Sequence, residues 1–434
     1  MSSIGRFLFH GYLWIVLGCF LYPQLTYASL EGVSPDTIGL PIDQIRIIGN
    51  EKTQEKYILK WIGIRRGQLI NISELNTAHQ ELLDSGLFKH INFQTERLEN
   101  GELSLHIRLE EKNYWLLLPR INRNSEGDVK AGFRLRMYNL QGADQTLELL
   151  AQQEEESNGD EAEQFRFRYL LPLFAKPYEL SWRLDREIEN TEVDDFANVE
   201  ITEQISMQVS RDWHLDSIKV PLTVETAITL EQRQLDEPYP EALDAREAGN
   251  FNRLSLGLVF DDVHYERYRR FGSYYSVSIE HGFDWLGSDY ESSIFKFEAI
   301  GFKPLNRYDN FNYRLVFEVS NNSPFDYLNY DIGGGSSIRG LENVDERGDA
   351  RIFANLEYIF AYQKHPGLRH SLFLDIGNVY PALDEIDLSD QLYTIGTGFR
   401  WKIESFVKTD LFLDYGYDVE QQSGKLYGGT SLVF

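Results

Sequence analysis

The chain has 434 residues, a formal net charge of −26 and a mean hydropathy of −0.38, and it is rich in Tyr and Phe. The acidity argues against nucleic acid as a partner, because phosphate binding requires basic patches. The one cysteine is Cys19, so disulfides, thiolate metal sites and thiol catalysis are excluded downstream of it.

The first residues have the pattern of an export signal. Arg6 precedes an apolar run from Phe7 to Leu25, and Thr26–Ala28 places small residues at the outer positions of a cleavage site. We expect a secretory signal peptide over residues 1–28, with a transmembrane helix as the competing interpretation. Lipidation at Cys19 is disfavoured, since the apolar run continues past it.

Residues 42–111 predict one small α+β domain with the order strand, helix, helix, strand, strand. The second helix carries an apolar face of Leu75, Ala78, Leu82 and Leu83 and is expected to be capped by Ser73. The final two strands are expected to form a hairpin that turns at Asn100–Gly101. The predicted elements are a strand at Ile42–Ile48, helices from Thr53 to Ile62 and after Ser73, and strands at Phe88–Thr95 and Glu102–Glu110.

Residues 113–434 predict a transmembrane β-barrel of sixteen antiparallel strands. In one segment Leu222, Val224 and Thr226 share one face and Thr223, Glu225 and Ala227 share the other, as expected for a lipid side and a polar lumen. The sixteen alternating segments lie near Tyr114, Val129, Gln145, Gln164, Tyr178, Glu200, Lys219, Phe251, Gly272, Tyr290, Asn312, Arg351, Leu368, Tyr393, Thr409 and Lys425.

The links between these segments alternate in length, and this sorting sets the orientation. The long acidic links follow odd-numbered segments, as at Glu154–Glu163, Glu187–Val199, Leu235–Asn250, Asn321–Gly348 and Pro381–Asp390. Even-numbered links such as Leu171–Pro177 and Arg211–Ser217 are mostly shorter. Barrels have short periplasmic turns and long external loops, so the amino-terminal domain is expected in the periplasm.

The chain ends in a strand-like run that stops at an aromatic residue, Phe434. A last strand containing Tyr427, Gly429 and Leu432 is expected to pair with the first strand, because an open edge in lipid leaves backbone groups unsatisfied. The alternative is an ordinary edge strand of a soluble sheet, but a soluble β-sandwich has no reason to sort its links by length.

Three motifs resemble those of the BamA/TamA outer-membrane assembly superfamily, also called the bacterial surface antigen family. Ser337-Ile338-Arg339-Gly340-Leu341 follows the eleventh segment, where the family carries its valine-arginine-glycine-aromatic motif. Asn355-Leu356-Glu357-Tyr358 and Phe373-Leu374-Asp375-Ile376-Gly377 resemble its acidic and aromatic-x-aspartate-x-glycine strand motifs. The amino-terminal domain resembles a single POTRA repeat, where well-known members have several, and Ile338 and Leu341 replace the usual valine and aromatic residue.

Alternation predicts that Glu357, Phe373, Asp375 and Gly377 face the lumen. The resemblance implies that the loop folds into the barrel and that Arg339 contacts Asp375, since a guanidinium can hold a carboxylate through two hydrogen bonds. The alternative is an exposed glycine-rich loop above acids that line a wet lumen.

The sequence carries no convincing catalytic motif, and we expect neither an enzyme nor a cofactor. Gly333–Ser337 is not a nucleophile elbow, because Ile338 stands where the second glycine is required. It is not a phosphate loop either, since no Gly-Lys-Ser/Thr follows. The scattered histidines lack metal-ligand spacing.

Three functions therefore compete. The favoured one is an assembly or insertion factor for outer-membrane proteins that works through a seam between the first and last strands. The alternatives are a polypeptide-translocating pore of the same superfamily and a passive porin. Expected partners are the outer-membrane bilayer with lipopolysaccharide, unfolded client polypeptides, and a periplasmic protein docked on the POTRA-like domain. Glu154–Glu156 are expected to form a solvated external loop, with divalent cations that bridge them to lipopolysaccharide as the alternative.

Overall fold

The computed structural model describes residue 30 and residues 32–98, 102–123, 129–155, 161–175, 177–193, 196–213, 222–235, 248–266, 268–322, 330–341, 347–362, 364–407 and 410–430. Several predictions fall outside the described residues. They are the signal peptide, the turn at Asn100–Gly101, and the terminal positions Leu432 and Phe434.

The amino-terminal domain has the predicted order of elements. Its three-stranded sheet has the order β1-β3-β2, in which β1 is parallel to β3 and β2 is antiparallel. Two helices cover the sheet and bury Ile58, Leu75 and Leu82 against it. The elements are β1 (Ile42–Ile48), α1 (Glu55–Ile62), α2 (Ile72–Ser85), β2 (Phe88–Arg97) and β3 (Leu103–Glu111).

The predicted Ser73 cap of α2 is wrong by two residues. The cap is Asn71, whose side-chain oxygen accepts a hydrogen bond from the Ser73 backbone nitrogen at 2.9 Å. Asparagine and serine are both good capping residues, and the extended backbone of Asn71 leaves Ser73 inside the first turn.

The rest of the described chain forms a closed antiparallel barrel. Its strands are β4 (Trp115–Arg123), β5 (Val129–Leu140), β6 (Gln145–Glu155), β7 (Glu161–Ala175), β8 (Tyr178–Val193), β9 (Phe196–Trp213), β10 (Leu222–Leu235), β11 (Gly249–Asn250), β12 (Arg253–Asp261), β13 (His264–Tyr265), β14 (Arg270–Gly282), β15 (Ser293–Pro304), β16 (Asn310–Asn321), β17 (Ala350–Tyr362), β18 (His365–Tyr380), β19 (Leu392–Lys402), β20 (Asp410–Asp418) and β21 (Ser423–Gly429). Because β11 and β13 have two residues each, sixteen long strands remain in the described part, which confirms the predicted number.

Some predicted boundaries are wrong. The Glu187–Val199 link is mostly strand, because β8 and β9 remain paired up to Val193 and Phe196 and leave two residues between them. The segment expected near Tyr290 begins at Ser293. The starts predicted near Lys219 and Thr409 lie outside the described residues.

The faces of the strands alternate as predicted. On β12, Leu256 and Leu258 point outward and are 49% and 44% exposed. Gly257 lies opposite Glu225 on the lumenal face. An apolar outer band around a polar interior is the pattern of a barrel surrounded by lipid. No helix among the described residues is both long enough and apolar enough to cross a membrane.

The amino-terminal domain docks against three turns at one end of the barrel. Asn139, before β6, donates a hydrogen bond to the Thr53 hydroxyl at 2.8 Å. Asn113 donates from its backbone nitrogen to the Ser405 carbonyl at 2.9 Å, between β19 and β20. The third turn lies between β12 and β14. These turns follow the second, eighth and fourteenth long strands, so the domain reaches across the opening of the barrel.

The third docking contact is an ion pair. Asp84 at the end of α2 lies 2.8 Å from Nδ1 of His264 and accepts a hydrogen bond from the Tyr265 backbone nitrogen at 2.7 Å. The neighbouring Asp262 lies 3.3 Å from the other ring nitrogen. Hydrogen bonds to Asp262 and Asp84 raise the pKa of His264 from 6.5 to about 10.

This pKa predicts that docking depends on pH. Of the two carboxylates only Asp84 belongs to the amino-terminal domain, so protonated His264 stabilises the docked state through Asp84, and this stabilisation is lost as pH rises through about 10. Spin labels at Thr77 of α2 and Arg307 of the barrel should therefore give a distance distribution that broadens above pH 10. His264→Gln should be broad already at pH 7 and insensitive to pH; a wild-type-like pH transition in this variant would contradict the assignment.

Candidate functional site in the barrel lumen

The link between β16 and β17 folds into the lumen. We call its described part, residues 330–341, the arginine loop. A turn opens the motif, in which the Ser337 hydroxyl donates to the Gly333 carbonyl at 2.6 Å. Ile338 and Leu341 are 0% and 2% exposed and pack with Val316, Phe353 and Val379 of the barrel wall. Apolar contact thus fixes the loop on both sides of Arg339.

Arg339 is fully buried and bound to Asp375 of β18. Its Nε and Nη2 donate to the two carboxylate oxygens at 2.8 and 2.9 Å, and its backbone nitrogen donates to one of them at 3.0 Å. The guanidinium carbon also lies 3.6 Å from the centroid of the Phe373 ring. The planar fork of arginine matches a carboxylate through paired hydrogen bonds, and a ring face attracts its charge.

A second arginine completes a buried charge network. Arg400 of β19 binds Glu357 of β17 and Asp414 of β20. Arg339 lies 3.1 Å from Asp414 and 3.6 Å from Glu357. Three carboxylates therefore surround two guanidiniums, and each of the five residues is at most 2% exposed. Charges out of water require such pairing, because each isolated ion would cost several kcal/mol.

Five more side chains hold the backbone of the loop. Four donate to its carbonyls: Arg351 to Asp331 at 3.0 Å, Arg314 to Ser336 at 2.9 Å, Asn355 to Ser337 at 2.6 Å and Thr394 to Arg339 at 2.7 Å. The fifth, Tyr427 on β21, accepts from the Gly340 backbone nitrogen at 3.1 Å. With Asp375 on β18 and Asp414 on β20, the loop is held by six consecutive strands, β16 to β21.

Two glycines allow this close approach. Gly340 has φ +95°, and an added Cβ would lie 2.4 Å from the carbonyl carbon of Gly416 on β20. A Cβ on Gly416 would lie 2.5 Å from the Arg339 carbonyl oxygen. Backbone therefore packs directly on backbone, and only glycine fits at either position.

The structure brings most of the predicted site residues together. Ser337, Ile338, Arg339, Gly340 and Leu341 all lie in the loop, against Glu357, Phe373 and Asp375. Gly377 supports packing instead, since an added Cβ would lie 2.4 Å from the Phe353 Cβ. Tyr427 contacts the loop, whereas Gly429 lies opposite Phe412 on β20.

Sequence reasoning missed Asp414, Arg400, Thr394, Asn355 and Gly416. One signal was available for β20. Phe412-x-Asp414-x-Gly416 repeats the pattern of Phe373-x-Asp375-x-Gly377 two strands later. Both aspartates bind Arg339, so the repeated pattern marks the two strands that grip the same guanidinium.

Comparison with models of known protein families identifies the family of this chain. An Omp85 superfamily domain model matches residues 139–402, more than half of the chain. The chain belongs to the Omp85 superfamily. A POTRA model described as a surface antigen variable number repeat matches residues 40–112. The Omp85 assignment places the protein in the bacterial outer membrane, with its POTRA domain in the periplasm, among barrels that are not enzymes.

Individual relatives are distant. The chain is 22% identical over 415 residues to an outer membrane protein assembly factor BamA from Nitratidesulfovibrio vulgaris, covering 88% of this chain and 50% of that protein. It thus spans about half the length of this relative. BamA from Haemophilus ducreyi lacking POTRA domains 1–3 matches with a TM-score of 0.55 and 17% identity, over 90% of this chain and 85% of that one. CdiB from Acinetobacter baumannii matches with a TM-score of 0.60 and 15% identity, over 90% and 73%.

The network predicts a large loss of stability for Arg339→Ala. The substitution leaves Asp375 buried without its partner, which costs about 3–5 kcal/mol. Urea unfolding in detergent micelles and heat-modifiable gel mobility measure the loss, and Asp375→Ala should behave alike. The matched control is Lys296→Ala, which removes a lumenal ion pair with Glu280 that is 42% exposed on the lysine side and should cost about 1 kcal/mol or less. Equal losses for Arg339→Ala and the control would contradict the role of the network.

Proposed function

We propose that this Omp85 protein inserts or assembles outer-membrane proteins by adding client strands at the seam between β4 and β21. The observation that carries the proposal is the hydrogen bond between Gly340 and Tyr427. Through it the buried arginine loop reaches the last strand of the barrel, which lies beside the first. The state of the loop is thereby coupled to the one junction where the barrel closes.

The strands at the seam support this proposal. Within the described residues β21 has seven residues and is the shortest of the sixteen long strands, whereas β8 and β9 have 16 and 18. A short strand offers few ladder hydrogen bonds to its neighbour. On β4, Trp115 and Leu117 point outward and are each 63% exposed. A client strand that pairs with an opened edge would enter lipid directly, by β-augmentation.

The POTRA domain offers a second edge for a client. Strand β2 lies at the edge of its sheet, and Gly32 already pairs with Gln94 there in parallel orientation. The Thr95 backbone nitrogen donates to the Gly32 carbonyl at 3.2 Å. An extended client segment would bind to this edge through the same backbone groups before reaching the seam.

A polypeptide-translocating pore is the second candidate, favoured by the structural likeness to CdiB. The contents of the lumen weigh against the passage of a whole secreted chain, since the arginine loop lies inside and the POTRA domain contacts three turns at one end of the barrel. A passive porin would need neither the POTRA domain nor the inward loop. An outer-membrane proteome measured after depletion of this protein separates the three functions. Loss of many barrels indicates an assembly factor, and loss of one secreted protein indicates a translocating pore. An unchanged proteome indicates a passive porin.

A cysteine pair that joins β4 to β21 tests the seam directly. It should stop the assembly of client barrels, because the edge can no longer open. The matched control joins β4 to β5 at Leu117 and Leu135, which are registered partners on adjacent strands. This pair leaves the seam free and should preserve assembly. Full client assembly with the seam closed would refute the proposal.

Tyr427→Phe tests the coupling between loop and seam. It removes the acceptor of the Gly340 backbone nitrogen but keeps the ring against Gly335. A hydrogen bond worth about 0.5–1.5 kcal/mol predicts two- to tenfold faster seam opening, measured as the hydrogen-exchange rate of the β4 backbone amides. Tyr415→Phe, on the outer face of β20 and 44% exposed, is the control and should leave the rate unchanged. Equal rates in both variants would contradict the coupling.

A further inference from the structure

A cluster of arginines lies on the lumenal wall of the barrel half that begins at the seam. We call this cluster the cationic wall. It spans β5, β7 and β8, which lie one, three and four strands from β4. Its members are Arg134, Arg136, Arg166, Arg168 and Arg183.

Strand register shows that these side chains share the lumenal face. Arg136 lies opposite Glu148, Glu148 opposite Arg168, and Arg168 opposite Arg183. In the next row Arg134 lies opposite Leu150, Leu150 opposite Arg166, and Arg166 opposite Asp185. The residues between them point outward, such as Phe133 and Phe165, which are 61% and 48% exposed.

The wall has more cations than its two rows can neutralise. Glu148 lies 2.6 Å from Arg136 and 3.8 Å from Arg134. Asp185 pairs with both Arg166 and Arg183. Among the described residues of these two rows, five guanidiniums thus share two carboxylates, in a chain whose net charge is −26.

Arg168 carries the unmatched charge. It forms no ion pair within 4 Å among the described residues, and it lies exposed in the lumen. Its direct cross-strand neighbours are Glu148, which pairs with Arg136, and Arg183. Like charges directly opposite each other destabilise a sheet. An anion that bridges Arg168 and Arg183 would relieve this repulsion, since charge-assisted hydrogen bonds to carboxylates are strong.

The charge of the external segments of this protein indicates which kind of anion would bind to the cationic wall. Its own strand ends and links on the external side are acidic: residues 154–163 contain six Asp or Glu and residues 187–199 contain five, with no Lys or Arg in either. Client barrels exposed on the same surface have links that must cross the membrane during assembly. A lumenal cationic surface in the barrel half that begins at the seam attracts such segments over roughly a Debye length of 8–10 Å.

We propose that the cationic wall binds acidic external-loop segments of client barrels while they cross the membrane. The inference rests on the proposed function, and it adds the class of polypeptide that the lumen accepts. Arg168 and Arg183 supply the principal contacts.

Peptide binding to the full-length protein in detergent micelles tests the proposal. The probe is a fluorescent peptide with the sequence of residues 154–163, compared with an analogue in which Gln and Asn replace Glu and Asp. The acidic peptide should bind and should weaken with added salt, and the analogue should not bind. Arg168→Gln should weaken binding about tenfold, because one charged hydrogen bond is worth about that factor. It should not reduce stability to urea, because it relieves repulsion.

The matched control is Lys296→Gln, which removes a lumenal cation paired with Glu280 at 3.0 Å and should leave binding within about twofold. Equal binding of the two peptides, or wild-type affinity in Arg168→Gln, would overturn the proposal. So would binding of inorganic pyrophosphate without binding of the acidic peptide, which would indicate a phosphate ligand instead.

The outcome is separable from that of the proposed function. Peptide binding that depends on Arg168, together with client assembly that survives a closed seam, would refute the seam and leave the wall intact. In cells, a photo-crosslinker at Gln204, opposite Asp185 in the same row, should capture client barrels. Replacing the Asp and Glu residues in the external loops of a client by Asn and Gln should reduce this capture. If capture is unchanged, the proposed role of the cationic wall is refuted and the proposed function is not.

Discussion

The buried guanidinium of Arg339 is the constraint on which the lumen depends. A charge that is 0% exposed is tolerated only where carboxylates and hydrogen bonds replace water. Asp375, Asp414 and Glu357 meet this requirement from three different strands. Without the arginine, Asp375 would lose its ion-pair partner, whereas Glu357 and Asp414 would keep Arg400. The arginine loop and the strands that contact it therefore stabilise each other, and neither is expected to hold its conformation alone.

This arrangement divides the barrel into two unlike halves. Strands β16 to β21 are all hydrogen-bonded to the arginine loop, and the last of these contacts is made by Tyr427 on β21. On the other side of the seam, β5 to β8 carry the cationic wall, where repulsion between Arg168 and Arg183 opposes tight packing. The seam thus lies between strands that the arginine loop holds in place and strands that an acidic ligand at the cationic wall would stabilise. This asymmetry favours opening of the seam by movement of the β4 side.

The sequence predicted the parts that follow from local pattern. Alternation with a period of two reports which face meets lipid, so the barrel, its sixteen strands and the inward direction of Asp375 were readable. The contact to Arg339 came from family resemblance. Asp414 and Arg400 were missed because their place beside Arg339 depends on register between strands up to 75 residues apart in sequence. The extent of β8 and β9 was missed because acidic, polar residues read as loop although their backbones remain paired.

A double-mutant cycle on Arg339 and Asp375 tests the central claim most directly. Urea unfolding of the wild type, Arg339→Ala, Asp375→Ala and the double variant gives the coupling energy between the two side chains. If the pair acts as one unit inside the buried network, the loss of stability in the double variant is about 2–3 kcal/mol smaller than the sum of the two single losses. Additive losses, with a coupling energy near zero, would show that the loop is held in the lumen by other contacts and would contradict the account.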